Sequence, residues 1–339
     1  MIMKKYIIDT DIGDDIDDAF ALDLALKKNL GLLGVTTVFR DTQSRARIVK
    51  KLLRLYGKQL PVYAGYGTTL DGREDKGRLC QWTPDLDNPE YRPDNSFPEA
   101  AVDAILDAAR RYGKEFYLLA IGPLTNVARA ILKDRETMLK CGGIIMMGGD
   151  FVNHYVEWNI HCDVAAAEIV FSSGIEIVAF GHEVTSRARL TSVQQEYVFS
   201  MAQDEYHAYL AELSRLWHRS KPTGFLMVLH DVLAVRYAAE PEFCRLRCAP
   251  VGLEHAGTYT SGMTVNLSAM DLLNVSEMCT VRYAAEVDIT EFIGYFMNEI
   301  GYCAEGGKAI YEKVLDNSGK FMFDRSADRR CDELRQSGK

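Results

Sequence analysis

Six aspartates within ten residues constrain this chain more than any other feature of its sequence. The segment from Asp9 to Asp18, called here the acidic turn, reads DTDIGDDIDD. It follows a short apolar run at residues 6–8 and precedes an almost entirely apolar helical pattern at residues 19–26. A buried strand, a turn with one glycine and a buried helix are typical of the first βα unit of a parallel α/β sheet. In such sheets ligands bind beyond the carboxyl ends of the strands.

The charge of the acidic turn favours a metal site. No lysine or arginine occurs between Lys5 and Lys27, so the neighbouring sequence offers no neutralising cation. Carboxylates within ~4–6 Å of one another repel and take up protons unless a cation is present. A hard ion that prefers oxygen ligands, such as Ca²⁺ or Mg²⁺, would remove this conflict. The alternative is a solvated loop in which one or two aspartates cap the helix, and six aspartates fit that alternative poorly.

Composition bounds the class of protein. With 339 residues, 47% of them hydrophobic, the chain can form one large α/β domain or two small ones, and we predict a single domain over residues 1–339. A net charge of −9 without a basic cluster argues against a nucleic-acid partner. The apolar run at the start is too short for a signal peptide, and no stretch approaches the ~18 apolar residues of a membrane span. Eight scattered cysteines without a Cys-x-x-Cys pair indicate reduced thiols, so we expect a cytoplasmic protein.

Strand-like and helix-like runs alternate through the first half of the chain. This order predicts a doubly wound, mainly parallel β-sheet flanked by helices. Residues 67–98 are rich in Gly, Pro, Asp and Asn, which predicts a long surface excursion that serves as a lid or an oligomer contact. The later part predicts a largely helical stretch at 193–217, helices at 230–239, 291–300 and 309–315, several short strands within 246–290, and a tail that frays after residue 324.

The turns exclude several familiar phosphate and metal sites. The acidic turn lacks Gly-x-Gly-x-x-Gly, and its charge would repel a pyrophosphate, so dinucleotide binding is disfavoured. No Gly-Lys-Ser/Thr of the Walker type occurs. An EF-hand beginning at Asp9 would need Glu at its twelfth position, where this chain has Phe20. A haloacid-type phosphatase would need Gly directly after Asp-x-Asp, where this chain has Ile12.

The acidic turn, through Ala19, resembles the N-terminal signature of the inosine–uridine-type nucleoside hydrolases. Four later segments agree with that family in order and spacing, so the resemblance covers most of residues 4–240. These segments are Gly34-Val35-Thr36-Thr37-Val38, Ile121-Gly122-Pro123-Leu124-Thr125-Asn126, Met146-Met147-Gly148-Gly149 with Glu157-Trp158-Asn159-Ile160, and His230-Asp231. The resemblance implies a Rossmann-like fold that binds one Ca²⁺ and cleaves the N-glycosidic bond of a ribonucleoside.

The resemblance also implies a metal site and a general base. Asp11 would be the general base for a metal-activated water and a metal ligand as well. Asp18 would be the main chelating carboxylate, and Asp231 and the backbone carbonyl of Ile121 would complete the protein ligands. A divalent ion lowers the pKa of a bound water and fixes its line of attack.

Further positions match the part of the family site that holds the substrate. Asp17, Glu157 and Asn159 would hold the ribose hydroxyls, and acidic groups there would stabilise a sugar with oxocarbenium character. His230 would act in catalysis near the leaving base. Met147 could line the ribose pocket or belong to the core.

Three departures from the family pattern leave roles open. Five residues, 12–16, separate Asp11 from the following Asp-Asp-Ala, where the commoner signature has three, so Asp14 and Asp15 could intrude on the metal or the ribose. Asp41 stands where many relatives have an asparagine that contacts ribose. The loop between Gly149 and Glu157 is short for the family, and Asn153 within it is a further candidate for the ribose or the metal shell. Five aromatic residues could stack on the base, although packing is the more common role of helical aromatics: Tyr206, His207, Trp217, His218 and Phe225.

We therefore predict a cytoplasmic Ca²⁺-dependent nucleoside N-ribohydrolase that releases a free base and ribose. We expect it to act on a small-molecule nucleoside and to form a homo-oligomer, either a dimer or a tetramer. One alternative is a catalytically silent nucleoside- or ribose-binding relative. The other is a Mg²⁺-dependent phosphatase with Asp9 or Asp11 as nucleophile, which would need a lysine and a second acidic motif near the ligand.

Overall fold

A nine-stranded sheet forms the centre of the molecule. The computed structural model describes residues 4–268 and 280–302. Within these ranges the strands are hydrogen-bonded in the order β3-β2-β1-β4-β5-β6-β9-β7-β8. Their bounds are β1 (Lys5–Thr10), β2 (Gly31–Thr37), β3 (Val62–Ala64), β4 (Phe116–Ala120), β5 (Gly143–Met147), β6 (Ile177–Phe180), β7 (Cys244–Glu254), β8 (Met263–Asn266) and β9 (Thr280–Val287).

Helices cover both faces of the sheet. They are α1 (Asp17–Lys27), α2 (Thr42–Leu55), α3 (Glu99–Tyr112), α4 (Thr125–Lys133), α5 (Arg135–Met138), α6 (Trp158–Cys162), α7 (Val164–Phe171), α8 (His182–Thr185), α9 (Ser192–Ser200), α10 (Glu205–Ser220), α11 (His230–Ala239) and α12 (Ile289–Glu299). Short 3₁₀ helices lie at Pro84–Asp87, Pro89–Tyr91, Gly113–Glu115 and Pro241–Phe243. No helix in the described ranges is both long enough and apolar enough to cross a membrane.

The predicted doubly wound, mainly parallel sheet is confirmed. Strands β1 to β6 and β9 pair in parallel, whereas β7 pairs antiparallel with β9 and β8 antiparallel with β7. The largely helical stretch predicted over residues 193–217 is confirmed as two helices, α9 and α10, and Asp204 caps α10 by accepting a hydrogen bond from the backbone N–H of His207. The helix predicted at 309–315 and the tail after 324 lie outside the described residues.

The order of the strands creates a crevice at the acidic turn. The chain runs from β1 outward to β2 and β3, and then returns to the other side of β1 as β4. The usual ligand site of an open α/β sheet lies beyond the carboxyl ends of two neighbouring strands at which the strand order reverses, here β1 and β4. The backbone N–H of Ile121 donates to the carbonyl of Asp9 at 2.8 Å, so the end of β4 lies directly beside the acidic turn.

The excursion at residues 67–98 packs against this crevice. The side chain of Gln81, which is fully buried, donates to the backbone carbonyl of Asp15 at 2.5 Å. Its backbone N–H donates to the carbonyl of Gly13 at 3.2 Å. Leu86 is fully buried and packs with the core beside α2. The excursion therefore covers one side of the acidic turn, and its role as a lid or an oligomer contact stays a prediction.

Helix α1 is buried along almost its whole length, which explains its apolar sequence. Residues 17–26 are all buried, and α1 packs against α11. Ala19, Ala21 and Ala25 have no solvent exposure, and their small side chains allow the close approach of neighbouring elements. A helix that is hydrophobic all round is a buried helix. Packing of α1 against α11 brings their first residues, and the aspartates there, to the same end of the sheet.

A hydrogen-bond network around Asp9 connects β1, β2, the start of α4 and the loop after β3. One carboxylate oxygen of Asp9 accepts from the Thr36 hydroxyl at 2.6 Å and from the Asn126 amide at 2.8 Å. The same amide donates to the carbonyl of Thr37, and its oxygen accepts from the backbone N–H of Tyr66. Burial raises the pKa of Asp9 to about 7. Asp9 is thus a structural residue of the sheet.

We predict that Asn126→Ala lowers the free energy of unfolding by about 2–4 kcal/mol, because several buried polar groups lose their partner at once. Chemical denaturation measures this change. Asn298→Ala is the control, because Asn298 is exposed on α12 and should change stability by less than about 0.5 kcal/mol. Equal stability of the two variants would show that the Asp9 network is not needed for the fold.

Candidate active site

A cavity of about 580 Å³, called here the acidic cavity, opens at the end of β1 and β4. Its wall combines carboxylates, cationic groups and aromatic rings. The lining residues are Asp11, Asp14, Asp15, Asp17, Asp18, Arg40, Arg78, Cys80, Ile121, Met147, Tyr155, Glu157, Trp158, Asn159, His182, Ser220, Lys221, His230 and Asp231.

Three buried carboxylates in this cavity form one cluster. Asp17 and Asp18 begin α1, and Asp231 lies in the first turn of α11. One ligand atom of each lies within 4.8 Å of the others, and we call these three residues the carboxylate cluster. The backbone N–H of Asp231 donates to Asp17 at 2.9 Å, which ties the two helix starts together. The hydroxyl of Thr10 donates to Asp18 and fixes its carboxylate in the same way.

The carboxylate cluster is electrostatically unfavourable by itself. Burial, followed by the charge of Asp15, raises the pKa of Asp17 to about 8. Burial, followed by repulsion from neighbouring aspartates, raises the pKa values of Asp18 and Asp231 well above the usual range. Because their pKa values are raised, these three buried acids bind protons readily. A divalent cation in place of the protons would stabilise the site. The residues present therefore fit a metal ion, as the sequence predicted for this turn.

Asp11 lies beside the carboxylate cluster in a crowded position. Burial raises its pKa to about 6, and the nearby Arg45 opposes that rise. A β-carbon added to Gly122 would come within 2.9 Å of an Asp11 carboxylate oxygen, so only glycine fits there. The loops after β1 and β4 therefore approach each other closely. Asp11 lies next to Ile121, whose backbone carbonyl is also a predicted metal ligand.

The two extra aspartates of the turn are held by cations from distant parts of the chain. Asp14 accepts from Arg40 at 2.6 Å and from the fully buried Arg45 at 2.8 Å. Asp15 pairs with Lys221, which follows α10, at 3.4 Å. The local sequence offers no neutralising cation, but the fold supplies three. These ion pairs hold the carboxylates of Asp14 and Asp15 in the wall of the acidic cavity.

Two further residues predicted to hold ribose, Glu157 and Asn159, line the same cavity as the carboxylate cluster. Glu157 caps α6 and accepts from the backbone N–H groups of Gly149, Asn159 and Ile160 at 2.9–3.1 Å. Burial raises its pKa to about 7. The Asn159 amide donates to the carbonyls of Ile121 and Met147 at 3.2 Å each. Glu157 and Asn159 are thus fixed in orientation, and the side chain of Met147 lines the cavity between them and the sheet.

His230 lies at the start of α11, on the aromatic side of the cavity. Its Nδ1 is 2.8 Å from the hydroxyl of Thr185. Burial lowers its pKa to about 4, so the ring is neutral at pH 7. Its ring faces that of His182, with centroids 6.1 Å apart.

The structure does not bring two predicted ribose residues into the acidic cavity. Asp41 is exposed and caps α2 by accepting from the N–H and the hydroxyl of Ser44. Positive φ angles at Phe39 and Arg40 turn the chain so that Arg40, and not Asp41, points into the cavity. Asp41 lines a separate cavity of about 900 Å³.

Asn153, the second predicted ribose residue in question, also lies outside the lining of the acidic cavity. Its amide donates to Asp150 at 3.2 Å, and it is exposed within a loop after β5. The five aromatic candidates for base stacking also lie away from the lining, and Tyr206 and Trp217 are buried in the core. Tyr206 and Trp217 therefore have the packing role that the sequence analysis gave as the alternative to base stacking.

The sequence did not point to several residues that line the cavity. Arg40, Tyr155, Trp158, His182 and Lys221 all contribute to its wall. The resemblance covered Trp158 only as part of a motif, and the other four lie in loops or short helices without a periodic pattern. The position of Trp158 between Glu157 and Asn159, two predicted ribose residues, was the one signal available.

The carboxylate cluster generates a prediction about pH and cations. Without a divalent cation, acids with raised pKa values bind protons more tightly in the folded state than in the unfolded state, where the value is 3.8. Stability in EDTA should therefore fall as pH rises from about 4 to about 8. Ca²⁺ should reverse that fall, since it replaces the protons. Thermal unfolding at several pH values, with and without Ca²⁺, measures both effects.

Asp18→Asn is the matched variant, and it should lose most of the Ca²⁺ effect. A melting temperature that does not respond to Ca²⁺ at pH 8 would contradict the metal site. So would an equal response in the Asp18→Asn variant.

Comparison with known proteins identifies the family of this chain. Residues 6–294 match the family described as inosine-uridine preferring nucleoside hydrolase. A probable uridine nucleosidase 2 of Arabidopsis thaliana is 29% identical over 318 residues, which cover 88% of this chain and 97% of that protein.

Solved structures agree with this match. A plant nucleoside hydrolase, the PpNRh1 enzyme, has a TM-score of 0.75 at 26% identity, covering 89% of this chain and 100% of that chain. A purine-preferring ribonucleoside hydrolase from Gardnerella vaginalis has a TM-score of 0.72 at 26% identity, covering 88% of this chain and 98% of that chain. The chain therefore belongs to the inosine-uridine preferring nucleoside hydrolase family, whose members hydrolyse the N-glycosidic bond of ribonucleosides.

Proposed function

We propose that this enzyme is a Ca²⁺-dependent nucleoside N-ribohydrolase that uses Asp11 as its general base. The observation that carries the proposal is the buried carboxylate cluster next to Asp11, at the crevice between β1 and β4. The reaction releases a free base and ribose. The family membership supports the reaction class, and the residues of the cavity support the ion and the roles.

Ca²⁺ is the ion that suits this donor set best. Ca²⁺ takes six to eight oxygen ligands, including carboxylates and backbone carbonyls. Mg²⁺ usually keeps several waters and binds one or two protein carboxylates. Asp18, Asp231, Asp11 and the carbonyl of Ile121 would supply more protein oxygens than Mg²⁺ usually takes. These four groups would hold the Ca²⁺, and Asp17 beside them would remain for the substrate.

Asp11 is placed to accept a proton from the attacking water. When bound, Ca²⁺ would make that water more acidic and fix its position. A general base must lie within hydrogen-bond reach of the proton that it accepts, and a carboxylate that binds Ca²⁺ would lie beside a water on the same ion. Arg45, which donates to the Asp11 backbone carbonyl, holds the residue in its place.

Asp17, Glu157 and Asn159, which all line the acidic cavity, would hold the ribose hydroxyls. Their side chains are buried and held by the backbone contacts described above, so they lose little freedom when substrate binds. Negative charge around the sugar stabilises the oxocarbenium character that develops as the base leaves. Met147 would contact the ribose from the end of β5.

His230 would act at the leaving base. Because its Nδ1 is engaged with Thr185, its other ring nitrogen is available to a substrate in the cavity. The neutral ring can hydrogen-bond to a base without adding positive charge next to the Ca²⁺.

The base preference, the assembly and the location are separate questions. The relatives carry names that include a uridine nucleosidase and a purine-preferring hydrolase, so these names favour neither class of base. The cytoplasmic location and the homo-oligomer stay predictions from the sequence and the resemblance.

The direct test is incubation with a panel of purine and pyrimidine ribonucleosides, with Ca²⁺ and with EDTA, and with a phosphatase substrate in parallel. We expect release of free base that EDTA abolishes and added Ca²⁺ restores. Phosphate release without free base would contradict the proposal in favour of a phosphatase. Stoichiometric nucleoside binding without turnover would favour a silent relative.

Asp11→Ala tests the assignment of the general base. We expect kcat to fall by about 10²–10⁴-fold or more, since the variant loses a positioned base and a metal ligand together. Asp107→Ala is the control, because Asp107 is exposed on α3, far from the cavity lining. Circular dichroism checks that both variants fold, and full activity of Asp11→Ala would show that the base is assigned wrongly.

A further inference from the structure

Three rings stack along the aromatic side of the acidic cavity. The rings of Tyr155 and His182 lie 3.8 Å apart at an angle of 13°. The rings of His182 and His230 lie 6.1 Å apart at 18°. All three residues line the cavity. The stack runs from the exposed Tyr155, at the mouth, to His230, which precedes Asp231 of the carboxylate cluster.

One short helix positions both imidazoles. His182 is the first residue of α8, and Thr185, whose hydroxyl contacts His230, is the last. The backbone N–H of His182 donates to the carbonyl of Gly149 at 2.8 Å, which fixes α8 to the end of β5. The separation of the two imidazoles is therefore set by a single helical turn.

A buried carboxylate orients His182 from behind. Asp150 is only 1% exposed, and one of its oxygens is 3.7 Å from Nδ1 of His182. Its other oxygen accepts from the backbone N–H groups of Val152 and Asn153. The hydroxyl of Thr264 accepts from the N–H of Asp150 and donates to its carbonyl. The oxygen near His182 also accepts from the Asn153 amide at 3.2 Å. Asp150 is thus held in place on the Nδ1 side of His182, and the other ring nitrogen lies on the far side of the imidazole from this carboxylate.

We propose that His182 is a second base-contacting residue, which acts beside His230 and is positioned by Asp150. This inference rests on the proposed function, since it concerns the leaving base of the same reaction. The ligand class is a planar heteroaromatic base with a hydrogen-bond acceptor on its edge, such as a ring nitrogen or a carbonyl oxygen. His182 donates to that acceptor, and Tyr155 supports the plane of the imidazole from the solvent side.

The test compares two kinds of leaving group on the same ribose. Inosine and uridine have heteroaromatic bases with acceptors, whereas 4-nitrophenyl riboside has a benzene ring without ring nitrogens or ring carbonyls. For His182→Ala we expect kcat/KM for the nucleosides to fall by about 10- to 100-fold, the usual effect of losing one buried hydrogen bond. The fall for 4-nitrophenyl riboside should be at least about tenfold smaller.

His182→Phe and Asp150→Asn separate the parts of the proposal. His182→Phe keeps the ring in the stack and removes the hydrogen bond, so it should give the same shift in preference as His182→Ala. Asp150→Asn keeps an oxygen for the two backbone N–H groups and removes the charge, so it should shift the preference in the same direction by a smaller factor. A merely structural role of Asp150 would lower both activities equally.

His207→Ala is the matched control. His207 lies 2.8 Å from Asp204 in a second histidine–aspartate pair, outside the cavity lining. Its substitution should leave the ratio of the two activities unchanged.

Equal losses on both substrates, or no loss on either, in the folded His182 variants would overturn the role of His182 while the hydrolase function stands. If the wild-type enzyme with Ca²⁺ releases neither bases nor 4-nitrophenol, the proposed function itself fails, and this inference fails with it. A preference shift in His182→Phe, without one in His207→Ala, supports the proposal.

Discussion

The mutual repulsion of buried carboxylates is the constraint on which the rest of this site depends. Asp17, Asp18 and Asp231 place ligand atoms within 4.8 Å of one another, and Asp11 lies beside them. Burial makes their charges unfavourable and raises their pKa values. Three nearby cationic side chains, those of Arg40, Arg45 and Lys221, are already paired with Asp14 and Asp15. A cation within the cluster would stabilise it as a set of charged groups, and we propose that this cation serves the reaction.

The fold brings these carboxylates together through elements that are held by apolar contacts. Asp11 follows β1, Asp17 and Asp18 begin α1, and Asp231 lies at the start of α11. Packing of the buried α1 against α11, and of both against the sheet, offsets the unfavourable charge. The switch in strand order then places β4 and its carbonyl at Ile121 on the other side. A costly polar site can thus persist on a scaffold whose stability comes from elsewhere.

The sequence predicted those parts of the site that depend on local pattern, and missed those that depend on distant contacts. The acidic turn, its strand and its helix were visible, and so was the parallel sheet. The cations that hold Asp14 and Asp15 were not, because Lys221 is 206 positions from Asp15. Asp41 was expected at the ribose, but left-handed residues before it rotate the chain, and such backbone angles at Phe39 and Arg40 have no signal in these residue types. His182 was missed because a four-residue helix has no hydrophobic period.

The most direct test of this account is a crystal structure of the protein grown with Ca²⁺ and soaked with ribose, with anomalous data to identify the ion. We predict one Ca²⁺ bound by Asp18 and Asp231, with Asp11 and the carbonyl of Ile121 also coordinated, and ribose hydroxyls against Asp17, Glu157 and Asn159. Asp14 and Asp15 should remain paired with Arg40, Arg45 and Lys221. A Ca²⁺ bound by Asp14 or Asp15 instead, or no ion at the carboxylate cluster at millimolar Ca²⁺, would contradict the account.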